Sequence, residues 1–160
     1  METCKVNLNR VLACLDLSSY SEITFAHALT LARALGAELI ILNVINSRSL
    51  EAIDTLAAQG YSISREHIVN NLQEERQTQI AQQFLPLVGD VPTRVIFRQG
   101  LPWEEIIKTA RAENASCLVM GTKGRSNLDN VLFGHAAEKV FRHAPCPVFS
   151  VRGPEHCRLT

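Results

Sequence analysis

Arg10-Val11-Leu12-Ala13-Cys14-Leu15-Asp16 and Glu38-Leu39-Ile40-Ile41-Leu42-Asn43-Val44-Ile45 decide the fold of this chain. Each is a short, nearly continuous apolar run, the pattern of a strand covered on both faces rather than one with a wet side. Between them, Ser19-Tyr20-Ser21-Glu22 has the spacing of a capping box, in which the Ser19 hydroxyl and the Glu22 carboxylate satisfy amides of a first helical turn. Phe25, Ala28, Leu29, Ala32 and Leu35 then recur at helical spacing, and Gly36 stands where a left-handed C-terminal cap belongs. A helix over residues 19–35 between two buried strands is a βαβ unit. Such units are right-handed almost without exception, and the sheet is therefore predicted to be parallel.

Downstream the same alternation continues. After Asn46 the chain turns polar, with a weak helical signal around Leu50, Ile53 and Leu56. From Ser64 to about Phe84 it is rich in Glu and Gln, with Ile68, Leu72, Ile80 and Phe84 on one side, the pattern of an amphipathic surface helix. Pro86, Gly89 and Pro92 close it. Thr93 to Gln99 reads as a third strand, and Gly100-Leu101-Pro102 leads into a helix that ends near Glu113, with Pro102 at its first position. Ser116 to Met120 is a fourth strand, Gly121 to Phe133 a turn-rich loop, Gly134 to His143 a last helix and Pro147 to Val151 a fifth strand. The pattern predicts one α/β domain, an open five-stranded parallel sheet with helices on both faces, with its core over about residues 9–152 and a tail at 153–160.

A chain of 160 residues is of ordinary single-domain size, and 46% hydrophobic with 20% charged residues is the balance of a globular protein. Sixteen basic residues cancel sixteen acidic ones, so no long-range field draws the chain to nucleic acid or to an anionic membrane. The five cysteines form no C-x-x-C pair, and their odd number points to reduced thiols in a reducing compartment. Neither a basic leader before an apolar run nor a stretch of membrane-spanning length is present, which predicts a cytoplasmic protein. His27, His67, His143 and His156 lack the spacing of a metal site, and Cys14 and Cys117, inside strands, read as small buried hydrophobes. No metal centre is expected.

In an open parallel sheet, ligands bind beyond the carboxyl ends of the strands where the strand order reverses, which singles out Asp16, Asn46, Gln99 and Gly121. Gly121-Thr122-Lys123-Gly124-Arg125-Ser126 follows the fourth strand and leads to Gly134-His135-Ala136 at a helix start. Glycine lets the backbone turn tightly and lets peptide N–H groups approach an anion, and Gly134 adds the amides and positive dipole end of a helix. A lone G-x-x-G step is more often a plain turn. Its position after a buried strand and the third glycine favour a phosphate cradle, to which Lys123 and Arg125 can add charge.

Val119-Met120-Gly121-Thr122-Lys123-Gly124-Arg125-Ser126, Phe133-Gly134, Ala137-Glu138-Lys139-Val140 and His143-Ala144-Pro145-Cys146-Pro147-Val148 together resemble the universal stress protein family, over about Asn9 to Arg152. That resemblance implies a Rossmann-like, adenine nucleotide alpha hydrolase-like sheet in a homodimer paired through its last strand, Pro147 to Val151. It also implies a stress-response module that binds AMP, ADP or ATP, with or without magnesium, and does no chemistry on it. By position, Asp16 matches the acid used at the ribose and Val44 the residue lying against adenine. Met120, Gly121, Gly124 and Gly134 match the surround of ribose and phosphates, flanked here by Arg125, His135 and Ala136. The chain departs from the family in having His135 where nucleotide-binding members usually place Ser or Thr. The His135 backbone N–H can still donate and its protonated ring can pair with a phosphate; equally, its bulk can fill the pocket and leave a nucleotide-free, dimeric interaction protein. An enzyme is disfavoured, because the chain has neither a G-x-x-x-x-G-K-[ST] loop nor an obvious general base beside the cradle.

Overall fold

The computed structural model describes residues 7–59, 64–123 and 134–153. Among the described residues, five strands are linked by five α-helices, two of them between β2 and β3: β1 (Arg10–Cys14), α1 (Ser21–Leu35), β2 (Glu38–Asn46), α2 (Glu51–Ala58), α3 (Arg65–Gln83), β3 (Thr93–Gly100), α4 (Pro102–Ala112), β4 (Cys117–Gly121), α5 (His135–His143) and β5 (Val148–Val151). The strands form one sheet in the order β3-β2-β1-β4-β5, every neighbouring pair parallel. Leu12 of β1 sits in register with Ile40 of β2 and with Leu118 of β4.

Side chains of a strand alternate between faces, and here both faces are covered. Val11, Ala13, Leu39, Ile41 and Val119 pack with Phe25, Ala28 and Ala32 of α1 and with Ile80 of α3 and the adjoining Phe84. Leu12, Ile40, Leu42, Leu118 and Met120 face the other way, against Ile106, Ile107 and Ala110 of α4 and Ala137 and Val140 of α5. Two apolar surfaces per strand are why β1, β2 and β4 read as continuous apolar runs rather than alternating ones. No helix among the described residues is long and apolar enough to cross a membrane.

The start of α1 differs from the predicted capping box. The helix begins at Ser21, with Tyr20 as its N-cap and no side-chain cap bond, and neither Ser19 nor Glu22 holds it. Leu17 adopts a left-handed turn (φ 60°), which delays helix entry. Asp16 takes over the anchoring: its Oδ1 accepts from the Ser18 N–H (3.0 Å) and the Ser21 hydroxyl (3.2 Å). The C-terminal cap is as expected, with Gly36 at φ 60° and the Ala37 N–H donating to the Ala32 carbonyl (2.9 Å). The weak helical signal after Asn46 resolves into a 3-10 turn, Ser47–Leu50, followed by α2. Ser64 caps α3, its hydroxyl accepting from the His67 N–H (3.3 Å).

Candidate ligand-binding crevice

From β1 the chain builds the sheet outward first to one side, through β2 and β3, and then to the other, through β4 and β5. The reversal lies between β1 and β4, where the segments leaving the two strands diverge and leave a crevice. A cavity of about 400 Å³ opens there. Leu15 and Asp16 after β1, Val44 and Asn46 at the end of β2, Trp103 at the entry of α4, Met120 to Lys123 at the end of β4 and Gly134 to Ala137 at the start of α5 line it.

The wall formed by β4 and α5 is pinned by the backbone of Thr122. Its N–H donates to the Val151 carbonyl and its carbonyl accepts from the Gly134 N–H, each at 2.8 Å. The loop after β4 thus starts and returns at one residue, and α5 springs from beside the sheet edge. Gly121 is required by close approach: a Cβ there would lie 2.9 Å from the Lys123 carbonyl oxygen and 3.3 Å from Tyr20 Cβ. Gly134 is different. Its backbone is extended (φ −67°, ψ 157°) and a Cβ would meet only ordinary contacts, 3.6 Å from the Thr122 carbonyl oxygen and 3.8 Å from Lys123 Cα. Neither its conformation nor its packing against the described residues demands a glycine at 134. It caps α5 without a side-chain bond to the first turn, whose amides and positive dipole end stand at the cavity.

The opposite wall rests on a buried polar chain that the sequence reading did not single out. Asn43 of β2, fully buried, donates from Nδ2 to the Leu15 carbonyl (2.7 Å) and accepts at Oδ1 from Arg76 Nη1 (2.9 Å). The same Arg76 nitrogen donates to the Val44 carbonyl (3.1 Å). Arg76 is a buried guanidinium of α3 that also lines the cavity. A signal for it was present: Ile68, Leu72, Ile80 and Phe84 are spaced by four, and Arg76 fills the gap in that series. Trp103, the chain's single tryptophan, adds an aromatic wall, backed by Lys139 with its Nζ 4.8 Å from the ring centroid.

Asp16, Val44, Met120, Gly121, Gly134, His135 and Ala136 all line this one cavity, together with Asn46 and Lys123. Gln99 is not part of it. Gly124 and Arg125 lie outside the described residues. His135 lines the cavity and is exposed, so it is not packed into the interior. The described lining carries Arg48, Arg76 and Lys123 against the single carboxylate of Asp16, a formal +2 in a chain whose net charge is zero. Desolvation raises the pKa of the Cys14 thiol, which lines the same cavity, well above its usual value and so disfavours the thiolate. Among the described residues, no three His, Cys, Asp or Glu side chains stand together to hold a metal ion.

A doubly wound parallel sheet with a crevice at its switch point is the architecture of a Rossmann-like α/β protein. The chain belongs to the universal stress protein family, whose model matches residues 7–152. It is 28% identical over 156 residues to Universal stress protein MJ0577 of Methanocaldococcus jannaschii, covering 92% of this chain and 96% of that protein. The solved structure of MJ0577 superimposes with a TM-score of 0.77 over 92% of this chain and 97% of its own. Universal stress protein MJ0531 of the same organism is 31% identical over 130 residues, 81% of this chain and 73% of that one. The fold is also that of a universal stress protein crystallised in complex with cAMP, at 21% identity and a TM-score of 0.59, covering 92% and 98%.

Proposed function

We propose that this chain is a nucleotide-binding module of the stress response, that its ligand is an adenine nucleotide, and that binding rather than chemistry is its output. The observation that carries this reading is the convergence of Asp16, Val44, Met120, Gly121, Gly134, His135 and Ala136 on one cavity at the strand-order reversal. Its volume of about 400 Å³ falls in the range of small-ligand sites. In this reading the Asp16 carboxylate meets the ribose hydroxyls, the Val44 backbone and side chain meet the base, and the first amides of α5 with Lys123 receive phosphate. The cAMP complex of a protein with this fold is in keeping with it. The exposure of His135 favours this reading over occlusion.

The same reading makes the protein a cytoplasmic homodimer paired through β5. It assigns no catalytic residue: of the carboxylate and the imidazole in the described lining, Asp16 is engaged with Ser18 and Ser21, and His135 is exposed to solvent. Calorimetric titration with AMP, ADP, ATP and cAMP, beside mass spectrometry of any small molecule released on denaturation, tests it. Binding of at least one adenine nucleotide is expected. No heat with any of the four and no released nucleotide would overturn it, and steady phosphate release from ATP that is lost in Gly134→Val would overturn its non-catalytic part.

A further inference from the structure

Arg76 is at odds with its place in α3. The helix has 19 residues, and Arg76 and Ile80 are the two described as buried. An apolar residue in the Ile68, Leu72, Ile80, Phe84 series would dock the helix without the cost of desolvating a charge. The structure puts a guanidinium there, 9% exposed, at the edge of the cavity.

What the guanidinium holds gives it a use. One nitrogen, Nη1, donates to Asn43 Oδ1 (2.9 Å) and to the Val44 carbonyl (3.1 Å), and Asn43 passes the constraint to the Leu15 carbonyl (2.7 Å). Leu15 precedes Asp16, and Val44 is the residue assigned to the base. The chain of bonds therefore fixes the end of β2 and the exit of β1 relative to each other. The β4–α5 wall has its own anchor in Thr122, independent of this chain.

We propose that Arg76, relayed by Asn43, is the positioning residue of the base end of the crevice: beside the charge it lends the lining, it sets the Val44 backbone against which a nucleobase lies. The inference rests on the nucleotide reading above. It deepens that reading by assigning base affinity to a side chain on a helix that contributes no other residue to the described lining.

A ligand with and without its base separates positioning from general support. AMP and ribose 5-phosphate are titrated against the wild type, Arg76→Met and Arg76→Lys, with Trp103 fluorescence as the readout because that residue lines the cavity. Arg76→Met is expected to weaken AMP by about tenfold, the scale of one hydrogen bond from a charged donor, and ribose 5-phosphate several-fold less, through the lost charge alone. Arg76→Lys, which can still donate to one acceptor, is expected to recover part of the AMP affinity. Equal weakening of both ligands, or unchanged AMP binding, overturns the inference. If Arg76→Met fails to fold by near-ultraviolet circular dichroism, Arg76→Lys carries the test alone: a loss confined to AMP supports the inference and an equal or absent loss overturns it. A wild type that binds neither ligand overturns the nucleotide reading itself, a result distinct from either outcome in the variants.

Discussion

Gly121 and Gly134 bound the same loop, yet the backbone asks for glycine at only one of them. At 121 a methyl group would press on the Lys123 carbonyl at 2.9 Å, a contact with backbone that cannot swing away. Gly121→Ala is therefore expected to destabilise the protein by about 1–3 kcal/mol in urea unfolding, as overpacking does. At 134 no described residue lies closer than 3.6 Å, and the cost of Gly134→Ala is expected to stay below about 1 kcal/mol, the value of an N-cap preference. Affinity should divide the other way. Gly134→Ala puts a methyl beside the amides assigned to phosphate and is expected to weaken AMP by about tenfold while the fold persists. Full AMP affinity in a stable Gly134→Ala would remove phosphate from that end of the crevice. The glycine spacing was legible in the sequence; which glycine serves the fold and which the ligand was not, because that depends on what stands across the loop.

At the level of the elements, the buried strands were legible because each is sandwiched by helices, so apolar character runs through both faces of β1, β2 and β4. The entry to α1 was misread because the capping-box spacing says nothing about Leu17, whose left-handed backbone moves the helix start and hands the anchoring to Asp16. Arg76 was missed for a related reason: a cation in an amphipathic helix reads as solvated until the carbonyl it meets, 32 residues away in sequence, is placed. The same strands fix an alkaline limit. Burial pushes the Cys117 thiol at the start of β4 from 9.0 up to about 11, with Cys146 adding to the shift, and desolvation also raises Cys14 and Cys146. A thiol with a raised folded-state pKa holds its proton longer in the native state than in the unfolded chain. Its contribution is complete below about pH 9 and is lost as pH rises toward 11. The urea midpoint is expected to fall between pH 9 and 11, and to fall less steeply in Cys117→Ala. A slope that Cys117→Ala leaves unaltered would show that the thiol stays accessible to water.

On the scale of the whole molecule, a parallel sheet has two edges, and they are treated differently. The β3 edge carries Arg94 and Arg98, and Arg94 is tied to Glu38 and Glu113 at the foot of the sheet. Charge of this kind keeps an edge from pairing with another chain. The β5 edge, Val148-Phe149-Ser150-Val151, has no charged residue, and Phe149 is 46% exposed. An uncharged edge strand with a large exposed ring matches the β5-to-β5 homodimer proposed above, and a chain of zero net charge offers no electrostatic barrier to it. Phe149→Lys places a charge on that edge without touching the crevice, whose described lining includes no residue of β5. It is expected to convert a dimer into a monomer in sedimentation velocity at micromolar concentration, with AMP affinity within about twofold of the wild type. A wild type that sediments as a monomer, or a Phe149→Lys protein that remains dimeric, would move the interface off β5. A monomeric variant that also loses AMP would mean that the partner copy helps to close the crevice.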